Sequence, residues 1–121
     1  MSPPSPAKKS AAKPQRSPCP IACSLDLFGD KWTLLIIRDL MLGKTSFKDF
    51  ATAPEGIPTN ILSERLERLT QAELVKRTTM EHDGRRLTYQ LTAKGKDLKK
   101  VMFAMRDWGS AWIEGTVTKR N

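Results

Sequence analysis

The chain has 121 residues, enough for one compact domain but not comfortably for two, and it carries a formal net charge of +8. One histidine, His82, and two cysteines do not approach a zinc set, and no Cys-x-x-Cys pair is present, so no metal or cofactor is expected. Without a Gly-x-Ser-x-Gly, a His-Glu-x-x-His or a Gly-rich dinucleotide loop, the sequence also speaks against an enzyme.

Residues 1–18 scatter Pro3, Pro4, Pro6, Pro14 and Pro18 among Ser, Ala and Lys, which cannot bury enough apolar surface to offset the entropy of ordering. A disordered tail is expected there. Lys8, Lys9, Lys13 and Arg16 have no acidic neighbour in it, so +4 of the +8 belongs to the tail. It serves either as a basic arm on phosphates or as a solubilising extension. No apolar run reaches signal-peptide length, and none approaches the roughly 20 residues of a membrane span, so the expectation is a cytoplasmic protein with no membrane partner.

From Cys19 the composition turns apolar. Pro20 opens a short helix that Gly29 ends. A second helix follows at once, with Asp30 as its expected cap and Trp32, Leu35, Ile36, Ile37, Leu40 and Met41 as its apolar surface, closed by Leu42-Gly43. Gly43-Lys44-Thr45 mimics the end of a phosphate loop, but Arg38 stands where the first glycine is required and a helix, not a strand, precedes it. The third helix, Ser46 to Ala51, is capped by Ser46 and would support a helix-turn-helix.

The stretch from Gly56 to Thr92 carries most of the functional signal. Leu62, Leu66 and Leu69 recur at helical spacing and make one buried stripe, while Asn60, Ser63, Glu64, Glu67 and Arg68 point away from it. Pro58 suits the first turn, so the helix should begin abruptly and offer its N-terminal residues outward, in a form that can enter a major groove. Leu74 to Glu81 is rich in Val and Thr, and Leu87, Tyr89 and Leu91 alternate with polar residues, which predicts two half-buried strands. His82-Asp83-Gly84 supplies the turn, with Arg85 and Arg86 at its tip. A hairpin with two guanidinium groups directly after an outward-facing helix fits a DNA wing better than an ordinary solvated turn. Lys76 and Arg77 lie near this hairpin, whereas Asp26, Asp30, Asp39 and Asp107 lie elsewhere, an asymmetry that favours nucleic acid.

In the last segment Leu98, Val101, Met105, Trp108 and Trp112 follow steps of three and four, a seam that one small domain has little core left to cover. Folding back onto its own core is one use for it; a second copy of the chain is the favoured one. The expected organisation is therefore a tail at 1–18, a DNA-binding and dimerisation domain at 19–115 and a short tail at 116–121. The fold class is α+β, mainly α with a small β-hairpin: a winged helix-turn-helix that forms a homodimer through its N- and C-terminal helices. Two-fold symmetry would set two reading helices about one DNA turn apart, roughly 34 to 36 Å, and so calls for a palindromic site.

The ordered set Cys19-Pro20, Gly29-Asp30-Lys31-Trp32, Phe47 with Phe50, Ile57 through Leu69 with Arg65-Leu66, Tyr89 through Gly95, and Trp108-Gly109 resembles the HxlR-type transcriptional regulators of the MarR-like winged-helix group. The resemblance runs from Cys19 to about Trp112. It implies a homodimeric repressor or activator that binds an inverted repeat upstream of its target genes. In several such regulators the cysteine of the Cys-Pro pair senses oxidants or electrophiles, and Cys19 is the residue that matches.

On these grounds Thr59, Asn60, Ser63 and Glu64 are assigned to base edges or nearby phosphates, with Asn60 foremost because its amide pairs bidentately with adenine. Arg65 either reaches phosphate or holds the helix against its neighbours. Lys48, Lys31, Arg85 and Arg86 are assigned to phosphates. Cys19 sits where the positive end of a helix dipole favours a thiolate, which makes it a candidate redox sensor; the alternative is a small apolar side chain at a helix start. Four residues apart on a helix, Cys19 and Cys23 would hold their Cβ atoms about 5 to 6 Å apart, too far for a disulfide unless the turn melts. The resemblance thus implies an oxidant or electrophile as the candidate effector, with a small molecule as the other candidate. The competing reading is a winged-helix protein-interaction module with only non-specific DNA affinity.

Overall fold

The computed structural model describes residues 16–80 and 86–117. The chain divides into two units, residues 1–30 and 31–121. In the first, Pro20 starts helix α1 (Pro20–Phe28) as expected, with Cys19 at the N-cap and the Gly29 amide donating to the Leu25 carbonyl to close it. Arg16 lies at the end of the predicted tail, and its guanidinium donates to Asp26 at 2.6 Å and to the Ala22 carbonyl at 3.3 Å. The rest of that tail falls outside the described residues.

The second unit runs α2 (Thr33–Met41), α3 (Phe47–Ala51), α4 (Thr59–Gln71), β1 (Val75–Met80), β2 (Arg86–Leu91), α5 (Ala93–Lys96) and α6 (Lys99–Trp112). Helix α2 does not start at Asp30: the chain turns once more and Trp32 takes the N-cap position, without a side-chain cap. Ser46 does cap α3. Its hydroxyl accepts the Asp49 amide at 3.1 Å while the Asp49 carboxylate accepts the Ser46 amide at 3.4 Å, a reciprocal box that lets a helix of five residues hold its first turn.

The core is built from Ile36, Ile37 and Leu40 of α2, Phe50 of α3, Ile57, the Leu62-Leu66-Leu69 stripe of α4, and Leu74, Val75 and Tyr89 at the base of the hairpin. Phe50 meets Tyr89 edge-on, ring centroids 6.1 Å apart. Helix α4 ends in a double backbone closure, Leu74 N–H to Leu69 O at 3.0 Å and Glu73 N–H to Thr70 O at 3.0 Å. That closure puts Glu73 at φ 63, a left-handed position usually given to glycine.

β1 and β2 pair antiparallel from Val75↔Leu91 to Met80↔Arg86. Opposed residues share a face, so Val75, Leu91, Tyr89 and Leu87 point the same way. Burial nevertheless fades along that face: Tyr89 is enclosed, whereas Leu87 is 41% exposed. The alternation gives the right face, but the hairpin is less enclosed at Leu87 than at its base. At its base the Tyr89 amide donates to the Thr45 carbonyl at 2.8 Å, so the α2–α3 connection forms a third edge beside β2. Thr92 and Lys94 then tie α5 to the end of α4, through the Glu73 carbonyl at 2.6 Å and the Ala72 carbonyl at 2.8 Å. Gly95 is required at this junction, because a Cβ would stand 2.1 Å from the Leu74 carbonyl oxygen.

Two expectations change in the last segment. The chain makes two helices, and Leu98 is the N-cap of α6, not an interior position. Along α6 no residue is buried: Leu98 and Val101 are half-covered, and Met105, Trp108 and Trp112 are exposed. Folding back on its own core is therefore not how most of this helix is used within one chain. Thr116 hydroxyl bonds to the Gly109 and Ile113 carbonyls, 3.2 and 2.8 Å, tie the following residues to its end.

Candidate nucleic-acid interface

Helix α4 is two-sided. Leu62, Leu66 and Leu69 are 0%, 2% and 1% exposed, while Thr59, Asn60, Ser63 and Glu64 are all exposed on its first two turns. Pro58 is the N-cap, one position earlier than a first-turn proline, and it offers no side-chain cap. The amides of the first turn therefore face outward without a side-chain acceptor from that residue, in the geometry that suits an oxygen anion.

Charged side chains dress the same helix. Glu64 accepts from Arg65 and, at 3.4 Å, from Arg68. Desolvation is the largest single influence and favours its neutral acid, but the hydrogen bonds and positive charges of Arg65 and Arg68 together outweigh it and hold the carboxyl below its usual range. Arg65 lies along the flank with its side chain 16% exposed. Arg77 of β1 reaches Glu67 at 3.1 Å, and Gln71 approaches the same carboxylate at 3.3 Å, which pins the hairpin to α4. Sequence reasoning assigned Arg77 only to a basic cluster. Its spacing from Glu67 gave no hint of the contact, because the pairing crosses from helix to strand.

Of the residues assigned to phosphates, Lys48 is exposed on α3 and Arg86 is exposed at the outer end of β2. Lys31 is exposed too, with its ammonium 4.9 Å from the centre of the Trp32 ring. Arg85 and the His82-Asp83-Gly84 turn lie outside the described residues.

A network that periodicity did not predict stands behind the helix-turn-helix. Arg38 of α2 forks onto both oxygens of Glu55, at 2.7 and 2.8 Å, and donates to the buried carboxylate of Asp39 at 3.1 Å. Glu55 holds the Arg38 guanidinium firmly in its charged form, and Arg38 in return keeps the Glu55 carboxyl below the ordinary range. The available signal was a charged pair, Arg38-Asp39, in the middle of an otherwise apolar helix.

Cys19 is exposed, and its amide donates to the Ser17 hydroxyl at 3.0 Å; Cys23 is half-buried, its thiol 3.2 Å from the Ser17 carbonyl. Both are free thiols. Among the described residues no cluster of His, Cys, Asp or Glu could hold a metal ion, and no helix is long and apolar enough to cross a membrane.

A supporting helix, an outward-facing second helix and a two-stranded hairpin, in that order, define a winged helix-turn-helix protein. Residues 27–117 match the HxlR-like helix-turn-helix family, and the chain belongs to that family. It is 33% identical over 96 residues to the uncharacterized HTH-type transcriptional regulator sll1512 of Synechocystis, a match covering 79% of this chain and 71% of that protein. With the regulator Mb3122 of Mycobacterium bovis it shares 36% over 90 residues, 74% of this chain but only 56% of the longer relative. Among solved structures it resembles PA1607, with a TM-score of 0.78 and 33% identity over 88% of this chain and 75% of the other. The reduced form of the transcriptional regulator YodB from B. subtilis gives a TM-score of 0.69 and 33% identity, over 82% of this chain and 98% of YodB. The oxidised redox regulator HypR gives 0.71 and 25%, over 85% and 99%. The chain is thus a helix-turn-helix transcriptional regulator and not an enzyme.

Proposed function

We propose that two copies of this chain bind an inverted repeat in duplex DNA and repress the adjacent genes, with Cys19 as the switch. One observation carries the reading: α4 buries its leucine stripe completely and leaves Thr59, Asn60, Ser63 and Glu64 on the outside. An amphipathic helix exposes a polar face in any case; what favours a DNA-reading role is that this face begins at an N-terminus with no side-chain cap and stands between a supporting helix and a hairpin. Asn60 reads a base, its neighbours read bases or phosphates, and Lys48, Lys31, Arg85 and Arg86 take phosphates. Arg65, with its guanidinium on Glu64, serves to orient that carboxylate.

The dimer reading is supported by the apolar residues left exposed on α1 and α6, namely Ile21 and Leu25 on the first and Phe103, Met105, Trp108 and Trp112 on the second. The switch reading is supported by the exposure of the Cys19 thiol and by the likeness to HypR, described as a redox regulator, and to YodB, solved with quinone bound and after diamide treatment. A small-molecule effector is supported by a groove lined by Tyr89, Leu91 and Phe103 with Lys44, Lys96, Lys99 and Asp97.

The test is a gel shift on DNA upstream of the chain's own and adjacent genes, with scrambled competitor, with and without mild peroxide. Specific retention that peroxide abolishes is expected, with Asn60→Ala costing about 1 to 3 kcal/mol on the specific site alone. With six or so phosphates neutralised per dimer, affinity should fall about a thousandfold between roughly 50 and 200 mM salt. Equal competition by scrambled DNA would overturn sequence reading. Unchanged affinity after Cys19 is modified would remove the switch.

A further inference from the structure

We infer that Glu55 and Arg38 are positioning residues for DNA reading: their ion pair straps the α3–α4 turn to α2 and so fixes the direction in which the first turn of α4 is presented. The inference rests on the DNA-reading role proposed for α4. The turn that sets this direction has little else to hold it. Gly56 sits at φ 73 with nothing within 4 Å of where a Cβ would be, so its own surroundings do not constrain it. Pro58 contributes no side-chain cap to α4. What anchors the turn is the burial of Ile57, a backbone bond from Gly56 N–H to Ala53 O at 3.0 Å, and the two-pronged grip of Arg38 on Glu55.

The grip has the features of an orienting contact. A guanidinium meeting both oxygens of a carboxylate fixes distance and angle together, which a lysine ammonium does not. Arg38 is itself held in place, since the neighbouring Asp39 carboxylate, almost fully enclosed, accepts from the same guanidinium. Three residues beyond Gly56 the chain reaches Thr59 and then Asn60, the side chains assigned to base edges. Reading a base needs hydrogen-bond geometry, so a small rotation of that first turn is felt at the base and hardly at all in a diffuse phosphate attraction.

Charge makes the idea testable with a clear sign. Removing Glu55 takes away one negative charge and so raises the net charge by one, and a merely electrostatic role predicts tighter binding to every duplex. Positioning predicts the opposite on the specific site. In the full-length chain, Glu55→Ala should weaken the upstream DNA about tenfold and leave scrambled DNA unchanged or slightly tighter, and Glu55→Gln, which keeps one acceptor, should recover part of the loss. Amide hydrogen exchange in the DNA-free protein supplies an independent readout: exchange at Leu62, whose amide is the first of α4 to close on the Pro58 carbonyl, and at Ser63 and Glu64 after it, should quicken in Glu55→Ala while α2 and the hairpin stay protected. Unchanged exchange at those amides overturns the strap whatever the DNA result, as does unchanged or equally weakened binding to both duplexes. A wild-type chain that cannot tell the two duplexes apart sinks the DNA-reading role itself, and the exchange experiment still judges the strap.

Discussion

Helices α4 and α6 are nearly the same length, 13 and 14 residues, and each carries an apolar stripe at helical spacing. In α4 the stripe is sealed, with no leucine of the three more than 2% exposed; in α6, Trp108 and Trp112 remain 63% and 75% exposed. The difference lies in what surrounds them. Helix α4 is enclosed by α3, β1 and the hairpin base, all within its own unit, whereas α6 touches the body mainly through its first half and then runs on. An apolar stripe thus states that a helix needs a partner and leaves open which molecule supplies it.

Core truncation draws the contrast most sharply. Leu66→Ala should cost about 2 to 5 kcal/mol of unfolding free energy in denaturant titration, because it removes a filled site that its neighbours cannot close over. The paired change Trp108→Ala with Trp112→Ala should leave the intrinsic stability of the isolated protomer within about 0.5 kcal/mol, since exposed side chains contribute little to a protomer's fold. It should instead weaken self-association by about 2 kcal/mol or more, read by sedimentation over a concentration series. A large loss of protomer stability, with association intact, would mean that α6 packs on its own chain and that the contrast with α4 is false.

A smaller effect is expected at the end of α4. Glu73 occupies a left-handed conformation that a glycine adopts without steric cost, so Glu73→Gly should stabilise the protein by about 0.5 to 1 kcal/mol in thermal unfolding. A net destabilisation would show that the carboxylate makes a contact worth more than the strain.

The smallest effect concerns Glu64 on the exposed side of α4. The folded protein holds its carboxyl below the ordinary value, as the combined hydrogen bonds and charges of Arg65 and Arg68 prevail over desolvation, the largest single influence. Its contribution to stability is therefore fully present above the unfolded-state value, about pH 4.3, and is lost as pH falls through the lower folded value. Glu64→Gln should accordingly lower stability slightly at neutral pH, flatten the acid limb of a stability-against-pH curve below about pH 4.3 and converge with the wild type at the acid end. An identical acid limb in the variant would show that the two arginines do not hold the carboxylate in solution.

Much of the first comparison was legible beforehand. Leu62, Leu66 and Leu69 declared their face by spacing, Ser46 declared its cap, and Pro20 and Gly29 bracketed α1, because each of these is set by residues within one or two turns of each other. Asp30 misled as a cap because a capping residue looks the same whether the helix starts at once or a turn later. Leu87 misled because alternation reports which way a side chain points and not whether anything stands opposite. The contact of Arg38 with Glu55 escaped notice since it depends on how α2 lies against the α3–α4 turn, 17 residues apart in sequence.

By itself the sequence determined the helical and strand periods, the order of elements, the polar outer side of α4 and the family pattern, all of which are encoded in short-range repetition and chain chemistry. Only the tertiary structure decided how far burial extends along the hairpin, that α6 begins after a separate short helix, and that a glutamate in the turn is gripped by an arginine two helices away. Those outcomes depend on which surfaces come within a few ångströms of each other, and proximity between distant segments leaves no local mark in the chain.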